Sequence, residues 1–123
     1  FDVEAFALRA DFATAGPPGA HCDLIVQWSA PRGARVTVHG LIAGDRSESV
    51  GDAPAGPGGP GSVIDAVLEL RVPFASLGFR PGQHAEFEVR LEMGGAIVET
   101  APPGGVVHFE VPDHNFERRI WSA

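Results

Sequence analysis

The stretch Ala85–Met93 sets Ala85, Phe87, Val89 and Leu91 in strict alternation with Glu86, Glu88, Arg90 and Glu92. Side chains two apart share a face only in an extended chain, so the pattern demands a strand with one dry and one charged side. Such a strand belongs to an antiparallel sheet covered on one face alone. Gly94-Gly95 follows directly, before Ala96-Ile97-Val98-Glu99. Two glycines supply the positive φ angles of a tight hairpin, so a second strand is expected to return at once.

The same period recurs along the chain. Cys22, Leu24, Val26 and Trp28 share one face of Cys22–Trp28, with Asp23, Ile25 and Gln27 on the other. Val36, Val38, Gly40 and Ile42 form the inner face of another strand. Across Ile64–Val72, the residues Ile64, Ala66, Leu68, Leu70 and Val72 point inward, opposite Asp65, Glu69 and Arg71. Val106–Val111 ends at Pro112, which has no N–H to give a ladder. Val3–Ala13 is apolar in both phases around Phe6, Leu8, Ala10 and Phe12, which leaves its register open. About seven or more short strands separated by turn signals predict an all-β fold, a two-sheet antiparallel β-sandwich.

Composition agrees with that reading. The 16 glycines and 11 prolines among 123 residues exclude a long-helix protein. The length suits one domain over 1–123, and a core of that size needs no disulfide or metal to fold. Pro73–Gly78 is suited to a single helical turn, with proline at its start and glycine at its stop. The stretch 44–62 holds Gly, Pro, Ala and acidic residues with few large apolar side chains, and is expected to be a flexible Gly/Pro-rich loop.

Charge narrows the partners. Nine basic against 16 acidic residues give a net charge of −7, which argues against nucleic acid and against an anionic membrane surface. No apolar run approaches the length of about 18 that a membrane-spanning helix needs. All the basic residues are Arg, and with abundant Ala this reads as the codon bias of a GC-rich bacterial genome. The single cysteine, Cys22, excludes an internal disulfide framework and suits a reducing, cytoplasmic compartment. The chain opens at Phe1-Asp2 without an initiator Met, which reads as a fragment cut from a longer protein.

Candidate chemistry is sparse. Gly56–Gly61 matches the spacing of a phosphate-binding loop, but two prolines remove N–H donors and a strand, not a helix, follows. His21, His39, His84, His108 and His114 form no H-x-H or H-x-x-x-H pair; His39 and His108 could meet across a sheet, yet surface or hydrogen-bonded histidines are the favoured reading. A calcium site among Asp11, Asp23 and loop acids lacks the D-x-D-x-D pattern. Cys22 lies in an apolar phase and reads as a buried, inert thiol. Glu86, Glu88, Glu92 and Glu110 read as the wet phases of strands, and Glu69 with Arg71 as same-face sheet electrostatics. No catalytic residue, cofactor site or metal site is assigned, and the chain is expected not to be an enzyme. Trp28 and Trp121 remain as sugar-stacking candidates, with core packing favoured for both.

The run Val67-Leu68-Glu69-Leu70-Arg71-Val72-Pro73-Phe74-Ala75-Ser76-Leu77-Gly78-Phe79-Arg80-Pro81-Gly82 resembles the signature of β-sandwiches related to carbohydrate-binding modules. Leu91-Glu92, the Gly94-Gly95 turn, Ile97-Val98-Glu99, Pro102, Val111-Pro112 and Phe116-Glu117 through Trp121 extend it. Together they resemble the C-terminal accessory domain of family-57 glycoside hydrolases, the α-amylase and glucanotransferase group. The resemblance implies a parent acting on α-glucans whose catalytic carboxylates lie in a separate barrel. The implied partners are that catalytic barrel and an α-glucan. The rival expectation is a structural or protein-interaction sandwich without carbohydrate affinity.

Overall fold

The computed structural model describes residues 5–11, 19–41, 47–64 and 67–112. In chain order the strands are β1 (Ala5–Asp11), β2 (Gly19–Ala30), β3 (Ala34–Leu41), β4 (Ser47–Val50), β5 (Ala53–Pro54), β6 (Gly61–Ile64), β7 (Val67–Pro73), β8 (His84–Met93), β9 (Ala96–Ala101) and β10 (Val107–Glu110). They form two antiparallel sheets. The smaller has the order β1-β7-β6; the larger runs β10-β8-β2-β3-β4-β5, with β9 also paired to β8. An all-β two-sheet sandwich is thus the architecture, as the alternation requires.

The core lies where the two inner phases meet. The larger sheet contributes Cys22, Leu24, Val26, Trp28, Val36, Val38, Ala85 and Phe87; the smaller contributes Phe6, Ile64, Leu68, Leu70 and Val72. Phe6 settles the ambiguous phase of β1, because its ring meets Trp28 edge-on at 5.3 Å and Phe87 at 4.9 Å. Phe79 closes on Trp28 from another side at 5.8 Å, again edge to face. Such contacts add to the area term of burying rings of this size.

Two short connections behave as their residues dictate. Gly94 and Gly95 have φ of 58° and 85°, and Met93 pairs with Ala96 across them. Phe74–Leu77 forms one 3-10 turn, stopped by Gly78 in the left-handed region at φ 71°. The Arg32 guanidinium donates to the Leu77 carbonyl at 2.5 Å, which ties this turn to the β2–β3 connection.

Three expectations are corrected. The span Ile64–Val72 is not one strand: β6 and β7 are antiparallel neighbours with Ile64 opposite Leu68. Both ends keep the inward phase, so alternation alone could not reveal the reversal. On β3, Gly40 takes φ 76° and Leu41 turns into the core, while Ile42 lies outside the described residues. Within the stretch expected to be a loop, β4, β5 and part of β6 form instead. Val50 packs against the core, and hydrogen bonds hold the rest: Ala55 N donates to Glu48 O at 2.9 Å and Gly51 N to Arg35 O at 2.8 Å. Glu48 Oε1 accepts from both the Ser62 backbone at 2.9 Å and the Ser62 hydroxyl at 2.6 Å, strapping the larger sheet to the smaller.

Candidate functional site

Each sheet turns its second face outward, and the two outer faces differ in chemistry. On the smaller sheet the outward residues are Ala7 and Arg9 of β1, Gly61 and Val63 of β6, and Glu69 and Arg71 of β7. Register sets Ala7 and Gly61 on either side of Arg71, and Arg9 and Val63 on either side of Glu69. Because Ala7 and Gly61 carry almost no bulk, the face sinks into a depression of about 670 Å³. Val63 stands at its side, 64% exposed.

The outer face of the larger sheet is polar. A cleft of about 540 Å³ is lined by Asp23, Arg35, Thr37, His39, Ser49, Arg90 and Glu92 among others. His39 Nε2 lies 2.8 Å from Ser49 Oγ, and its Nδ1 lies 3.7 Å from Asp23 Oδ2. Asp23 Oδ1 accepts the Gly40 N–H at 3.0 Å, which explains how this carboxylate is anchored beside the irregular register of β2 and β3. Arg35 reaches Asp52 at 2.9 Å, and Arg90 lies between Glu88 at 3.5 Å and Glu92 at 3.7 Å. Thr37 and Ser49 are buried beneath these longer side chains.

Further along the same face, β8 and β10 bring His84, Glu86 and His108 together. His84 and Glu86 are two apart on β8, hence on one face, and His108 pairs with Glu86 across the ladder. Glu86 Oε1 lies 3.1 Å from His84 Nε2 and 3.2 Å from His108 Nδ1; the two nitrogens are 3.3 Å apart. The imidazole rings stack with centroids 5.4 Å apart. The second carboxylate oxygen, Oε2, accepts from Ser29 Oγ at 3.2 Å. The His84 hydrogen bond holds the Glu86 carboxyl below the usual carboxylate range; partial desolvation opposes it, while Ser29 and the charges of His108 and His84 add to it.

The structure places the sequence candidates as follows. Trp28 is 0% exposed, with its ring enclosed by Phe6, Phe79 and Phe87, so it has no free face for a sugar. Its indole N–H finds no acceptor among the described residues. Trp121 and His114 lie outside the described residues, as do the side chains of Asp11 and His21. Every Phe and Trp among the described residues is buried or partly buried. Cys22 is buried; that burial pushes its thiol up, and the neighbouring Asp23 adds to the effect. His39 and His108 do not meet, because β8 and β2 lie between their strands.

No pairing of histidines along the chain announces the His84–Glu86–His108 group. The available signal was H-x-E within a strand, which places two ligand-type side chains on one face. Its third member depends on the pairing of β10 with β8, which one strand's pattern does not specify. Comparison with protein-family models, with curated proteins and with solved structures gave no match to this chain.

Proposed function

We propose that this chain is a non-catalytic accessory β-sandwich that docks on the catalytic barrel of a family-57-type glycoside hydrolase acting on α-glucans. The observation that carries the docking is the depression over β7, where the small residues Ala7 and Gly61 leave room on either side of Arg71 and the exposed Val63 stands beside Glu69. An arginine with open space on both sides, next to an exposed apolar side chain, is a combination that protein interfaces favour. The nature of the partner rests on the resemblance carried by Val67–Gly82 and the residues after it.

A second reading is favoured by the cleft over β2, β3 and β8. Its carboxylates, guanidinium groups and hydroxyls offer both acceptors and donors to a sugar chain. Glucan held there would be bound by hydrogen bonds rather than by a Trp platform.

The test combines a barrel and a sugar. A purified family-57 catalytic barrel is expected to bind the chain, and Val63→Asp to weaken that binding about tenfold or more, equivalent to about 1.4 kcal/mol. Val63 is exposed, so its substitution should leave the denaturation midpoint unchanged. Binding of the barrel that ignores Val63→Asp would remove the docking face from the account. Saturable heat with maltoheptaose, lost in Arg35→Ala, would establish the second reading. Neither barrel nor glucan binding would leave an interaction sandwich of another kind. Starch and aryl glycosides should remain uncleaved by the chain alone; turnover abolished by one Asp or Glu substitution would overturn the non-catalytic assignment.

A further inference from the structure

Three ligand-type atoms, His84 Nε2, Glu86 Oε1 and His108 Nδ1, form a nearly equilateral triangle with sides of 3.1, 3.2 and 3.3 Å. The size of that triangle is informative. Bonds of about 2.0–2.1 Å from zinc to nitrogen and oxygen, set at tetrahedral angles, separate ligand atoms by about 3.3–3.4 Å. The three atoms therefore already stand close to three corners of a zinc tetrahedron. Two imidazoles and one carboxylate are also a donor set of the right hardness for a first-row divalent metal.

The surroundings prepare the set. Both histidines and the carboxylate project from paired strands, so backbone ladder bonds fix their spacing. Ser29 Oγ holds Oε2 at 3.2 Å, leaving Oε1 as the atom directed at the two nitrogens. A hydrogen bond to the far oxygen of a ligand carboxylate is the kind of outer contact that orients ligands in metal sites. His84 and His108 side chains are 58% and 57% exposed, so a cation can enter and a fourth position faces solvent. Glu110 sits opposite His84 in the ladder, adding a second carboxylate to this end of the face.

We propose that His84, Glu86 and His108 form a binding site for a divalent transition-metal cation of the Zn²⁺ class, with its fourth position open to water or to a donor from another molecule. Binding needs a free lone pair on His84 Nε2 and on His108 Nδ1, and the three contacts among the ligand atoms give way to bonds to the metal. The site lies on the outer face of the larger sheet and does not depend on the docking face of the smaller one.

Isothermal titration of the 123-residue chain with Zn²⁺ alone, with Co²⁺ as a spectroscopic probe, decides it. One tight equivalent of Zn²⁺ is expected, and Co²⁺ should give the intense visible bands of a tetrahedral site. His84→Ala and His108→Ala should each abolish that equivalent, and Ser29→Ala should weaken it by about tenfold. His39→Ala, an exposed histidine elsewhere on the sheet, should leave it unchanged. Excess Ca²⁺ or Mg²⁺ should not compete, since those ions prefer six or more oxygens. Far-ultraviolet dichroism of each variant separates loss of ligand from loss of fold. No tight equivalent, a tight equivalent that survives His84→Ala and His108→Ala in folded protein, or equal loss in His39→Ala would each overturn the site.

Discussion

The two outer faces of this sandwich rest on one core and differ in how crowded they are with ionisable groups. The smaller sheet presents Glu69 and Arg71 along its middle strand, with Ala7, Gly61 and Val63 leaving a shallow depression beside them. The larger presents Asp23, His39, Arg90, Glu92 and the His84–Glu86–His108 group. Both are the wet phase of alternating strands, so alternation alone treats them alike. They differ because sheet neighbours on one face come within about 5 Å across the ladder, and register decides which side chains become neighbours. Small residues on the strands flanking Arg71 leave room for another molecule's side chains. A face of crowded ionisable groups fixes its own side chains with hydrogen bonds and presents them as a constellation.

The strongest way to break this comparison is to remove the core that supports both faces. Trp28→Ala should cost about 3–5 kcal/mol through lost burial and the cavity left among Phe6, Phe79 and Phe87. Chemical denaturation checks it, and a loss under 1 kcal/mol would mean that the ring is not buried. The next effect concerns the strap between the sheets. Glu48→Ala removes the acceptor of the Ser62 N–H and hydroxyl and should cost about 1–3 kcal/mol. Unchanged stability would show that the two sheets are joined by their core alone.

That second prediction also marks where the sequence stops being legible. The strands with a clean alternation, β2 and β8, emerge with the expected faces, because burial of Leu24, Val26, Trp28, Ala85 and Phe87 leaves no competing register. The Gly94-Gly95 hairpin and the Phe74–Leu77 turn were equally readable, since their backbone angles need those residues. The segment around β4 was not. Its order comes from partners distant in sequence: Ser49 on His39, Glu48 on Ser62, Asp52 on Arg35. Composition shows that little apolar area is available there but cannot show which hydrogen bonds replace it. The His–Glu–His group fails to appear for a related reason, because its third member arrives through the pairing of His108 with Glu86.

The smallest expected effect sharpens the boundary between core and face. Cys22 is buried, and its thiol is held protonated by that burial and by Asp23. A thiol reagent should therefore modify it slowly in the native protein and rapidly once denaturant opens the fold. Equal rates in both conditions would place Cys22 outside the core and put the inward phase of β2 in doubt.

The proposed docking uses the smaller sheet and leaves the outer face of the larger sheet free of the barrel. Amide spectra of the isotopically labelled chain, recorded as a family-57 catalytic barrel is added, test it most directly. The account predicts changes concentrated at Ala7, Arg9, Gly61, Val63, Glu69 and Arg71, with the amides of His84, Glu86 and His108 unmoved. Changes centred on β8 and β10, with the smaller sheet silent, would contradict it.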